Sequence, residues 1–574
     1  MVYTKKIANL LIVLASLILI GCGGGSSGTN DSPIVDDNTT PDSNMTIDDF
    51  DDAVPHDPSF KTDHFSGSQN CVQCHDDLID ENETDVSLVH AWQGTIMANA
   101  ATDPLWKAKV ATEVKEHPEF KQTIEAKCSR CHTPMANVEA KFDDPSGDTI
   151  SLSEDGFFNH ENLYYDAAMQ GVSCTLCHQI KNTSQLGTTE GFSGNFEING
   201  TVRNIYGPYQ KPVVNPMQMQ LDYTPVFSEH TEDSKLCASC HNLETPVIAT
   251  DGSLTNFTFP EQAAYTEWEY SDFNGTKDTC QNCHMPKAEG SLVISTKGQG
   301  VEPRPNFHQH KFLGANTYML EILKNNRVKL GALADETRFD ESITDTREFL
   351  KSAAVINIGN TVFLNRTLSF DVNVTNKSGH KFPTGFPSRR VWLHVTVKNT
   401  ANQIVFESGG FNSEGQIIGV DDTLTANTYE PHYEKINDES QVQVYETILS
   451  DTDDNMTYIL LHALHYLKDN RILPKGLDKN DINLPETINP HGNAENDSNF
   501  IGGSDTVKYE IENLAADNYT ITATLYYQTL SYGFAQDLYK NSELPEVALM
   551  KLLDANTTNH YETISADSTS IIVP

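Results

Sequence analysis

Apolar residues recur at every second position through much of the C-terminal part of the chain. Leu368, Phe370, Val372 and Val374 alternate with Ser369, Asp371, Asn373 and Thr375. Val391, Leu393, Val395 and Val397 follow the same rule, as do Tyr519, Ile521, Ala523, Leu525 and Tyr527. Period-two alternation predicts strands with one buried face. Several such strands, joined by Gly, Asn and Asp turns, predict an all-β domain over 353–574, an immunoglobulin-like sandwich. Ahead of it, 317–325 and 341–352 read as helices, and 331–352 forms a helical connector. The other apolar run is N-terminal. Lys5 and Lys6 precede Ile7 to Ile20, and Leu19-Ile20-Gly21-Cys22 matches a lipoprotein cleavage box. The expectation is a signal peptide over 1–21, removed to leave a lipidated Cys22 and not a membrane span. Gly23 after it is compatible with outer-membrane sorting.

Composition changes this picture in two places. From Gly23 to about Phe65 the chain is rich in Gly, Ser, Asn, Thr, Pro and Asp, so 22–65 is expected to be a disordered acidic tether. Over all 574 residues the formal net charge is −41. That sign disfavours nucleic acid; it suits a redox protein partner with a basic docking face or a cationic substrate, held less tightly as salt rises, or serves solubility alone.

Cysteine arithmetic identifies the chemistry. Of the 11 cysteines, one is Cys22, and the others fall in five pairs, each followed at once by histidine. The motifs are Cys71/Cys74/His75, Cys128/Cys131/His132, Cys174/Cys177/His178, Cys237/Cys240/His241 and Cys280/Cys283/His284. Two thiols at this spacing reach the two vinyl groups of one haem, and the adjacent imidazole reaches its iron. Disulfides would give no reason for a histidine after every pair. Structural zinc needs four ligands, so an odd number of motifs leaves one over. A thioredoxin-like site would occur once, between a strand and a helix. Five covalently bound haems c are therefore expected, with these histidines as proximal ligands. First cysteines are 57, 46, 63 and 43 residues apart, too uneven for a tandem repeat. Residues 66–330 hold all five motifs, so the cofactors themselves must supply much of that domain's core.

The sixth ligand decides whether a haem carries electrons or does chemistry, because two histidines saturate the iron. Seven further histidines lie in the motif region: His64, His90, His117, His160, His230, His308 and His310. His308 and His310, flanking Gln309 after the last motif, are the best distal pair, with a local bend implied between them. His230 lies seven residues before Cys237, and His90 is a weaker candidate. Met97 offers sulfur as a ligand, or packs in the core.

Four stretches carry a family resemblance: Trp92 to Ala98, Lys127 to Met135, Gly171 to His178 and Cys280 to Pro286. With the His-x-His-x-Phe-x-Gly-Ala-Asn run at His308 to Asn316, they resemble a broad multihaem cytochrome c family. Its best-known relative is the tetrahaem cytochrome that accepts electrons from hydroxylamine oxidoreductase. The resemblance covers about 66–320 and implies a mostly helical, loop-rich haem fold and electron transfer. Haem number and the long C-terminal part depart from that relative, so no donor or acceptor carries over. Loops like Ser378-Gly379-His380-Lys381-Phe382-Pro383-Thr384-Gly385-Phe386-Pro387 occur in other multihaem cytochromes with an appended domain. His380 is accordingly a distal candidate that would lock the two domains together, and His432 is a weaker one.

The leading expectation is an electron-carrying lipoprotein of the bacterial cell envelope, facing the periplasm or the exterior. The alternative is a reductase of nitrite, hydroxylamine or a sulfur oxyanion with one open haem. Pentahaem nitrite reductases place lysine at the catalytic motif, whereas every motif here ends in histidine. A third possibility makes the β-domain an adhesion or docking module.

Overall fold

The computed structural model describes residues 45–147, 149–153, 155–420 and 428–572. The expected signal peptide, Cys22 and the first half of the expected tether fall outside the described residues. No helix among those described is long and apolar enough to cross a membrane.

The second half of the expected tether is folded, which corrects the sequence-based boundary. Phe60 and Phe65 are buried in a cluster with Met135, Phe157 and Leu176. His64 is buried beside them, its Nδ1 2.8 Å from Oε2 of Glu139. Averaged composition over 22–65 hid these two aromatic anchors among acidic neighbours. Two apolar rings are enough to dock an otherwise polar segment against a preformed core.

The motif region is built from short helices. Four motifs close the helices Gln69–His75 (α1), Lys121–His132 (α3), Lys235–His241 (α5) and Cys280–His284 (α6), and the remaining one forms Cys174–Cys177 (α4). Helix α2 (Pro104–Glu116) precedes α3. Asp103 caps α2, accepting from the backbone N–H of Leu105 and Trp106 at 2.9 and 3.2 Å, and Pro104 sits at the first helical position, where its missing N–H costs nothing. Two helices follow the motifs. Thr317–Asn325 (α7) has the expected bounds, capped by the Asn316 side chain. Glu336–Lys351 (α8) starts five residues earlier than expected, where the Asp335 side chain accepts from the Arg338 N–H at 3.0 Å.

The C-terminal part contains two facing sheets. Their strands are Ala354–Leu364 (β1), Thr367–Asn376 (β2), Arg390–Lys398 (β3), Ile404–Ser408 (β4), Lys435–Ile436 (β5), Val444–Tyr445 (β6), Ser504–Ile511 (β7), Asn518–Gln528 (β8) and Glu562–Ile572 (β9). One sheet runs β5-β7-β2-β1; the other runs β4-β3-β8-β9, with β6 also on β3. Val372 pairs with Val507 in the first and Leu393 with Leu525 in the second. The alternation seen in the sequence is the alternation of burial: Leu368, Phe370, Val372 and Val374 are all fully buried between the sheets. The expectation of an all-β unit needs one correction. Helices Tyr532–Leu538 (α9) and Pro545–Ala555 (α10) interrupt it, and Phe534, Val547 and Met550 pack with Leu105 and Ala108 of α2. The two parts thus share a core beyond the sheets.

Candidate functional site

In each motif the two cysteines are three positions apart on a helix, so both thiols project from one face. All ten motif cysteines and all five motif histidines line a single continuous cavity. The rest of its wall is largely apolar, with Trp92, Val110, Ile124, Leu236 and Phe307 among the lining residues. Thiols of different motifs approach one another there. Cys71 meets Cys174, Cys131 meets Cys240, and Cys237 meets Cys280, each within hydrogen-bond contact. Cys177 lies close to Cys237 and Cys240. The motif of Cys237 and Cys240 therefore neighbours three others, and the first motif joins through the third. Pairing these contacts as disulfides would strand Cys74, Cys128, Cys177 and Cys283 on the same wall.

Seven of the eight cavity histidines, all but His241, share a second feature. Nδ1 of His75 donates to the carbonyl of Ile294 at 2.7 Å, that of His132 to Ala100 at 3.1 Å, and that of His178 to Tyr206 at 2.6 Å. His284 donates to Leu313, His308 to Met285 at 2.7 Å, His310 to the carbonyl of His308 at 3.0 Å, and His380 to that of Lys381 at 2.9 Å. A backbone carbonyl on Nδ1 fixes the tautomer and leaves Nε2 with its lone pair, as a metal ligand requires. Burial pushes His132 and His284 down to about 4 and His310 to about 3, so these rings are neutral, the ligating form. The residues present therefore fit one covalently held haem per motif.

Two of the motif histidines face another histidine ring. His178 and His310 have centroids 6.1 Å apart with planes inclined by 21°. His284 and His380 are 6.2 Å apart, inclined by 16°. His308 and His310 both line the cavity, with Gln309 buried between them and a turn beginning at His310. Met97 lines it as well.

Other sequence candidates lie elsewhere. His230 and His90 are not among the cavity-lining residues. His230 is held at both nitrogens, Nδ1 by Ser228 Oγ at 2.6 Å and Nε2 by the Ile180 carbonyl at 2.8 Å. His90 sits between Asp76 and Asp85. His117 is bonded to His462, Nε2 to Nε2 at 2.9 Å, and His160 is exposed. His432 is buried in the β part against Asp497. Sequence reasoning missed a charged stretch of wall beside the second motif, where Lys109, Glu113 and Glu261 line the cavity. Lys109 and Glu113 form a buried ion pair at 2.8 Å, and burial raises Glu261 to about 7. Only the i,i+4 spacing of the first two was available as a signal, and such pairs are usually exposed.

No family profile and no curated protein matches the chain. Among solved structures it is similar to a penta-haem cytochrome c552 from Thermochromatium tepidum. The identity is 16% and the TM-score 0.50, over 89% of this chain and 100% of that one. The chain has the fold of a multihaem cytochrome c. That fold extends well beyond the motifs. At 89% coverage the likeness takes in part of the two-sheet region.

Proposed function

We propose that this protein is a five-haem c-type cytochrome that carries electrons between redox proteins at the bacterial cell envelope. One observation supports this reading above the rest: every motif cysteine and histidine lines the same continuous cavity, with thiols of different motifs in contact. Each haem would supply one iron that cycles between ferric and ferrous. The chain's own contribution is to fix the thiols on helix faces, to orient neutral imidazoles through Nδ1, and to wall the cofactors with apolar residues that exclude water. Attachment sites this close imply short hops along the first, third and fourth motifs, with branches to the second and fifth. A lipid on Cys22 would tether the protein through a linker shortened by the folded segment from about Ile47. The acidic surface suits a basic partner. The paired sheets support an immunoglobulin-like reading of the C-terminal part. Spectroelectrochemical titration tests the carrier role: five one-electron equivalents per chain are expected, whereas fewer would reject it.

A reductase with an open haem is supported by a separate count. Beyond the motifs, the histidines lining the cavity among the described residues are His308, His310 and His380, fewer than the five irons expected. The buried charges Lys109, Glu113 and Glu261 beside the second motif would suit a small oxyanion or its protonation. Binding of carbon monoxide by the reduced protein, with turnover of nitrite, hydroxylamine or a sulfur oxyanion, would favour this reading; neither would occur in a pure carrier.

A further inference from the structure

The loop between β2 and β3 leaves the β part and enters the cavity. Ser378, Gly379, His380, Phe382, Pro383 and Thr384 all line it. Gly379 permits the approach, since a Cβ there would lie 3.0 Å from Trp268 and 3.3 Å from Phe273. The His380 ring then stands 6.2 Å from that of His284, nearly parallel to it. That gap is too wide for van der Waals contact between the rings. It is the gap a metal requires: bonds of about 2.0 Å to each nitrogen, plus about 1.1 Å from nitrogen to ring centre, put trans imidazoles about 6.2 Å apart. Both rings spend Nδ1 on a backbone carbonyl and keep Nε2 for the cavity. The His178–His310 pair repeats the arrangement at 6.1 Å with both members inside the motif region.

The loop is held from both sides by buried charge. Glu267 of the motif region accepts from the Lys381 N–H at 3.1 Å and from the Thr384 hydroxyl at 2.6 Å. Lys381 reaches Asp469 at 2.7 Å, and Arg471 joins Asp469 at 2.7 Å to Glu267 at 2.9 Å. Asn376 donates to the His380 carbonyl at 2.8 Å. Glu267, Lys381 and Asp469 are fully buried, and Arg471 nearly so. Four buried ionic groups in one closed network tolerate few loop geometries, because any shift leaves a charge unpaired in low dielectric.

We propose that His380 is the second axial ligand to the iron held at Cys280, Cys283 and His284. The β part then completes a haem site that the motif region cannot finish alone. Glu267, Lys381, Asp469 and Arg471 are positioning residues for that ligand. This inference rests on the haem reading above.

Electron paramagnetic resonance and haem content of the full-length holoprotein test it. The wild type should carry five haems, with the fifth low-spin. His380→Ala should keep five haems and convert one to high-spin, with one additional equivalent of carbon monoxide bound on reduction. Added imidazole should return that haem to low-spin, a rescue that a merely structural histidine would not allow. Glu267→Gln should give a partial version of the same change. Should His380→Ala fail to accumulate, His380→Met serves instead and should replace one bis-histidine signal by a histidine–methionine one. An unchanged spectrum in either variant with haem content intact, or a high-spin haem that imidazole does not rescue, overturns the proposal. A wild type without haem overturns the underlying reading instead.

Discussion

The two halves of this protein are held together by different things. Between the sheets, Phe370, Val372, Leu393 and Leu525 are wholly buried, and the strands they belong to run for nine to eleven residues. The motif region has helices of four, five and seven residues at four of its motifs, all turned toward a cavity. Helices this short do not persist on their own, since nucleation costs more than a turn or two returns. One region closes its core with side chains. The other turns its motif residues onto one cavity, whose core the proposed haems would complete.

Preventing attachment at the most connected motif should separate the halves most sharply. Cys237→Ser with Cys240→Ser is expected to abolish one haem and to collapse amide protection across most of 66–330. Protection in β2, β3 and β8 should persist in hydrogen exchange. Equal loss in both regions would break the distinction.

Next in size is the buried network between the halves. Lys381→Met leaves Asp469 facing Arg471 with one partner gone, and breaking such a pair costs about 3–5 kcal/mol. Burial alone would raise Asp469, yet Arg471 and Lys381 together hold it well below the ordinary carboxylate range. Denaturant unfolding of Lys381→Met should show that loss, and adding Asp469→Asn should recover much of it.

His56 gives a pH-dependent difference. Burial pushes it down to about 4, and Gln170 donates to its Nε2 at 3.2 Å. The unfolded chain takes up that proton near the usual value, so stability falls as pH drops from about 6.5 toward 4, by about 3 kcal/mol. His56→Gln should flatten the profile over that window in thermal melts. The smallest expected effect is Asp103→Ala, which removes the cap of α2 and should cost about 1 kcal/mol in the same assay.

Legibility followed the same division. Alternation of side chains revealed β2, β3 and β8 almost to the residue, because a buried face leaves a mark at every second position. Helix α7 was equally plain. Cysteine spacing disclosed the five motifs that the structure brings to one cavity. What escaped notice was assembled across long separations. Phe60 and Phe65 looked like part of a tether until their partners Met135 and Leu176 were in view. Helices α9 and α10 were lost in the expectation of a pure β unit, although their partners lie in α2. His230 looked like a ligand by proximity to Cys237, whereas Ser228 and Ile180 occupy its nitrogens. The loop of His380 stood out locally, but that it faces His284, almost a hundred positions earlier, is a fact of tertiary structure.

The claim on which all of this turns is that the cavity is shaped for five covalently bound haems. Intact mass of the exported, purified chain, with haemochrome quantitation on the same sample, tests it directly. The account predicts five haem additions and no free thiol among the ten motif cysteines. A chain carrying disulfides or zinc at those cysteines, or fewer than five haems after full maturation, would contradict it.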